Sequence, residues 1–201
     1  MPRRLVLALS ACLLAAACGD DPELSGTGAT RGPSPSAAPT TAAVEPSPTP
    51  SPTEAAFTGG TGRVEKEPTG GPLSVVAVRA ARQDGYDRVV FELDGREAGA
   101  PGWTVEYVDD PRRDGSGDPV EVKGDKTLVV LISGSGYPFD TGVEEAERAA
   151  VGADLEVVQD VVLGSVFEGV YEAFVGVDGE RPFTVFRLAD PARLVVDIAH
   201  D

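Results

Sequence analysis

Residues 73–201 are predicted to form an all-β, antiparallel sandwich, and three observations predict it. Apolar residues recur at every second position in successive short runs, as in "YDRVVFELDG" and "WTVEYVD". Clusters of Gly, Asp and Pro separate those runs, as in "DDPRRDGSGDP", "KGDK", "GSGYPFDTG" and "VDGERP". Only "GVEEAERAAVG", residues 142–152, reads as a helix, and it is short. The crossover helices that a parallel sheet needs between its strands are missing.

The strands follow in order. "LSVVAVRAAR" opens the domain. In "YDRVVFELDG", Val89, Phe91 and Leu93 share one face, with Arg88, Val90 and Glu92 on the other. Trp103, Val105 and Tyr107 form the apolar face of "WTVEYVD", so Trp103 is expected in the core. "TLVVLIS" is apolar on both faces, which predicts a central strand. "VVQDVVLGSVF", "VYEAFVGVD", "FTVFRLAD" and "RLVVDIAH" complete the set. "DRVVFELDG" (87–95) and "ARLVVDIAH" (192–200) share an arginine, two apolar β residues and a later acid, the pattern of a pseudo-symmetric pair.

The chain begins differently. Met1-Pro2-Arg3-Arg4 precedes an apolar run from Leu5 to Ala17, the length of a secretory signal and too short to span a bilayer. The run ends in Ala15-Ala16-Ala17-Cys18-Gly19. Small residues before a cysteine resemble the lipobox of bacterial lipoproteins, which implies that residues 1–17 are a signal peptide and that Cys18 becomes the lipidated first residue. Cys12, in "LSAC", is the rival position, behind a shorter apolar run. Two or more acyl chains suffice for stable anchoring. Residues 18–72 then read as a lipidated cysteine and a disordered Pro/Ser/Thr/Ala-rich tether, too poor in apolar residues to offset the entropy of ordering.

Charge and residue inventory narrow the function. Seventeen basic residues stand against 33 acidic ones, a net charge of −16 that argues against nucleic acid as a partner. With one cysteine acylated and one discarded, no thiol is left for a disulfide or a redox role. The single histidine, His200, sits one residue from the end, where solvation is the expected fate. One His cannot build a zinc site, and no nucleophile elbow or phosphate-cradling glycine motif is present. Asp114, Ser116 and Asp118 mimic calcium-loop spacing, but Pro119 occupies the glycine position and no Glu closes the loop, so a solvated loop is expected. No enzyme, metal or cofactor is predicted.

"FTVFRLADPARLVVDIAH", residues 183–200, is a strand, a turn and a final strand. Its "DP-x-RLVVD" pattern resembles the AMIN domains of cell-wall amidases and pilus secretins. Together with "GYDRVVFELDG", "PGWTVEYVD" and "DKTLVVLISGSGYP", it is closer still to the AMIN-like domain of actinobacterial lipoproteins, across nearly all of 73–201. The resemblance implies an envelope location outside the cytoplasm, on the outer face of the cell membrane. It also implies a domain that binds peptidoglycan or another wall polymer without catalysis. The alternative is an interaction module for another envelope protein. For wall binding, Trp103, Tyr137, Phe139, Tyr171 and Phe174 are candidate stacking surfaces. Tyr137 and Phe139 flank Pro138 in a Gly-rich loop and are the expected exposed pair. Asp190-Pro191 sets a turn, and Arg193 and Asp197 share a face of the last strand. Arg193 is either a cross-strand charge partner or a ligand-binding group.

Overall fold

The computed structural model of the chain describes residues 57–201. Cys12, Cys18 and the residues expected to form the signal and most of the tether lie outside the described residues. In chain order the elements are β1 (Val64–Lys66), β2 (Thr69–Gly70), β3 (Ser74–Arg82), β4 (Tyr86–Asp94), β5 (Gly99–Ala100), β6 (Gly102–Val108), β7 (Lys126–Ser133), α1 (Pro138–Thr141), β8 (Ala149–Val151), β9 (Val158–Phe167), β10 (Val170–Val177), β11 (Phe183–Leu188) and β12 (Ala192–Ala199). One five-stranded sheet has the order β1-β6-β7-β10-β9, the other β11-β12-β4-β3-β8, and β2 and β5 form a small ribbon. Every pairing is antiparallel except β3 with β8.

The period-2 pattern builds the core. Val89, Phe91 and Leu93 of β4 are buried, as are Leu194, Val196 and Ile198 of β12 and Trp103 and Val105 of β6. All belong to one cluster between the sheets. β7, apolar on both faces, is the central strand of its sheet as its sequence predicts. Tyr107 fixes the approach to β11: its hydroxyl donates to the Arg181 carbonyl at 2.9 Å and accepts the Arg181 N–H at 3.0 Å.

Two expectations are corrected. Residues 142–152 are not a helix. The only described helix is the single turn α1, which Gly142 ends in the left-handed region at φ 80°. Beyond it the Ala146 and Gly152 N–H groups donate to Val75 and Ala80. Between them β8 pairs with β3, Val78 opposite Ala149. An open sheet edge with unfilled hydrogen bonds outweighs the helix propensity of a short Glu/Ala-rich run. Residues before 73 also belong to the fold. Gly60 bridges to Phe183, and β1 and β2 pair with β6 and β5.

The pseudo-repeat forms one antiparallel pair. β4 lies beside β12 with Arg88 opposite Asp197 and Glu92 opposite Arg193, as a local two-fold axis requires. Arg88 grips Asp197 through two bonds of 2.7 and 2.8 Å, and its guanidinium lies over the rings of Tyr86 and Phe186. The other half departs from the symmetry. Glu92 takes Arg79 at 3.2 Å instead, and Arg193 folds back onto the Pro191 carbonyl.

His200 is not solvated; it is 9% exposed. Its N–H donates to Gly85, Arg181 donates to its carbonyl, and Nε2 lies 3.0 Å from Asp87 Oδ1. The other Asp87 oxygen accepts the N–H groups of Glu156, Val157 and Val158 at 2.8–2.9 Å. Burial works against the charge on Asp87. The three backbone donors and His200 outweigh it and hold the carboxyl below its ordinary value of 3.8. An ionised carboxylate only accepts, so Nε2 of His200 carries the proton.

The loop 109–119 is exposed over most of its length, as expected, including Asp114, Ser116 and Asp118, but Arg113 anchors it onto β9 and β10. Arg113 donates to Glu172 at 3.2 Å and to the Leu163 carbonyl at 3.1 Å, and the Asp114 N–H donates to Glu172 at 2.9 Å. Glu172 is buried there. Its sequence neighbours gave no sign of the partner because Arg113 comes from another strand connection.

Two stability predictions follow from these networks. The folded pKa of Asp87 lies below the unfolded one, so its stabilisation is complete above that unfolded value and is lost as the pH falls through the folded value. Asp87→Asn is expected to lose roughly 3 kcal/mol near neutral pH and to show a flatter fall of Tm in acid, measured by thermal unfolding across pH. Tyr171 is fully buried and its hydroxyl has no hydrogen-bond partner among the described residues. Tyr171→Phe is therefore expected to gain about 1 kcal/mol in urea unfolding; a loss of similar size would show that the hydroxyl is satisfied in solution.

Candidate functional site

The connection from β7 to β8 carries Tyr137 and Phe139 and is fastened along its length. Gly134 and Gly136 exchange backbone bonds with Leu73, and the Ser135 N–H donates to Gly169 at 3.0 Å. The Ser74 hydroxyl donates to the Gly136 carbonyl at 3.0 Å and lies 2.7 Å from the Thr141 hydroxyl. Both hydroxyls are buried. The polar residues Ser74 and Thr141 thus clamp α1 to the start of β3, and the aromatic pair sits on a fixed base.

Tyr137 and Phe139 point outward, 38% and 74% exposed. Pro138 between them sets the spacing, and the rings stack with centroids 5.3 Å apart and planes 8° from parallel. The other aromatic candidates lie elsewhere. Trp103 is in the core as expected. Tyr171 is also core, and Phe174 is buried on the outer face of its sheet beneath Arg113. Inward-facing and loop-covered positions of β10 cannot serve as a stacking surface.

Beside this platform lies a cleft of about 690 Å³. Residues 94–101, between β4 and β6, form one wall, and residues 187–192 form the other, which includes the Asp190-Pro191 turn. Leu73, Val76 and Leu93 give it an apolar part. Asp190 adopts φ 55° to make the turn; among non-glycine residues Asp tolerates this conformation well. Arg96 joins cleft and platform: it lines the cleft, and its Nη1 donates to the carbonyls of Phe139 and Asp140 at 3.3 and 3.4 Å. Nothing in "DGREAG" distinguishes Arg96 from a solvated turn residue, so sequence reasoning missed it. Arg193 shares the outer face of β12 with Asp197, next to the turn, and is held by the Pro191 carbonyl rather than by a carboxylate.

His200, the only imidazole, is committed to Asp87 in the interior and lies 3.5 Å from Glu156 through its other nitrogen. Among the described residues no group of three or more His, Cys, Asp or Glu could hold a metal ion. No described helix is long and apolar enough to cross a membrane.

No curated protein matches the chain. A family profile does, that of the AMIN-like domain, over residues 73–200. The match takes in both five-stranded sheets apart from β1, the clamped aromatic connection, the cleft and the Asp-Pro turn, and covers more than half of the chain. By this match the chain belongs to the AMIN-like domain family.

Proposed function

We propose that this chain is a lipid-anchored protein of the cell envelope whose AMIN-like domain binds wall material without catalysis. The wall material is peptidoglycan or a polymer attached to it. Cys18 carries the lipid, and the tether holds the domain off the outer face of the membrane. The observation that carries the reading is the exposed pair of parallel, stacked rings Tyr137 and Phe139 on its clamped connection, beside a cleft bordered by Arg96. Ring faces stack on the apolar faces of sugars, and a rigid base spares the entropy of ordering them on binding. Arg96 offers donors to carboxylates or phosphates on the same polymer. The family membership supports the envelope setting.

Co-sedimentation of the full chain with washed sacculi, with and without their attached anionic polymers, tests binding. Saturable pelleting that survives moderate salt is expected. The double variant Tyr137→Ala/Phe139→Ala is expected to weaken it by about tenfold or more, since two lost stacking contacts amount to roughly 1.4 kcal/mol or above. No pelleting at high protein concentration sinks the reading. For the anchor, metabolic labelling with radioactive palmitate should mark the wild-type chain and not Cys18→Ser; loss of label in Cys12→Ser alone would move the lipid to the rival cysteine.

A further inference from the structure

Each sheet ends in two edge strands, and they are not equally protected. β1 and β8 are three residues long. β9 is long, but its pairing with β10 is broken by register shifts at Tyr171/Ala173 and Gly176/Val177, and Arg113 reaches over it to the Leu163 carbonyl. Shortness, bulges and cover are the ordinary ways of blunting an edge. β11 is neither short nor bulged, and its described cover is the single bridge of Gly60 at Phe183. Its six residues, "FTVFRL", pair with β12 in one unbroken register. It contains no proline and, in a chain with 33 acidic residues, no Asp or Glu.

The direction of the backbone groups is settled by one bond. The Phe183 N–H donates to the Gly60 carbonyl, away from β12. By the alternation of an antiparallel pair, Val185 and Arg187 also turn their N–H and C=O groups outward. Neither has a backbone partner there among the described residues.

The side chains at this edge add a charge preference. Phe183 is in the core, so Arg187 lies on the same inner face of β11. Lys66, the register partner of Trp103, approaches from β1 of the facing sheet. Lys66 and Arg187 both lie over the Trp103 ring, 5.5 and 5.6 Å from its centroid. Arg187 donates to the Pro101 carbonyl at 3.2 Å. Most described cations are in ion pairs, but neither of these has a carboxylate within pairing distance among the described residues.

We propose that the free edge of β11 accepts an extended peptide segment of a protein partner as an added strand, with an acidic side chain placed against Arg187 and Lys66. The outward groups of Val185 and Arg187 supply the main-chain bonds. On the inner side the residue beside Arg187 is Asp or Glu, because a cross-strand neighbour of opposite charge completes the two cations. On the outer side the flanking residues are apolar, beside Phe186 and the exposed Leu188. The partner motif is therefore apolar, acidic, apolar.

The test uses the full chain in mild detergent and capped peptides that alternate valine with threonine, with glutamate or lysine in place of the central threonine. Amide hydrogen exchange followed by NMR is expected to slow at least tenfold at Val185 and Arg187 with the glutamate peptide, and not with the lysine peptide. Val185→Pro removes one outward donor at a position where an edge strand tolerates proline, and is expected to abolish the effect. Arg187→Glu guards against a misfolded proline variant; it is expected to lose the glutamate peptide and weaken its discrimination against the lysine one. No slowing at millimolar peptide, or equal slowing with both peptides, overturns the proposal. Slowing that grows with protein concentration in the absence of peptide also overturns it and gives the edge to a second copy of the chain. The sacculus assay depends on Tyr137 and Phe139, so the two readings stand or fall separately.

Discussion

A carboxylate with no access to water organises this fold. Asp87 opens β4, a central strand of its sheet, and gathers three consecutive backbone N–H groups from the segment entering β9 of the facing sheet. It also holds the ring of His200, past the end of β12. Three stretches far apart in the chain meet on one side chain. A buried charge without such donors would cost several kcal/mol. With them, the same group fixes how the two sheets meet at this end of the sandwich, which apolar packing alone leaves loosely specified.

The outer faces repeat the device with half-buried arginines as partners. Arg88 and Asp197 tie β4 to β12 beneath two aromatic rings, and Glu172 receives a loop that covers β9 and β10. Ion pairs hold eight of the fourteen described lysines and arginines. Of the other six, Arg96, Arg187, Lys66 and Arg193 lie near the cleft and the β11 edge. In a strongly acidic chain that distribution separates structural arginines from those free to meet a ligand.

Much of this was legible beforehand. Alternation in β4 and β6 named their core faces, and double-sided apolarity placed β7 at the centre of its sheet. Tyr137 and Phe139 were legible because a Pro between two aromatics in a Gly-rich connection has little reason to be buried. What failed has a common cause. Residues 142–152 became a sheet edge, Asp87 with His200 became a buried pair, and Gly60 to Gly70 joined the fold through pairings over distances the local pattern does not carry. Arg96 gained its place only when loop 94–101 was laid beside the β7–β8 connection.

The order of the strands also gives the domain an orientation. The described chain enters beside Phe183 and leaves at His200, both at the end of the β11-β12-β4 sheet where β4 begins. The cleft and the aromatic connection lie at the other end, where β4 finishes at Asp94 and β12 starts at Ala192. Eight or nine residues of strand separate these poles by about 25 Å. A load applied between residue 57 and the cleft would therefore run along the strands, and the backbone ladders of β4, β11 and β12 would carry it in shear.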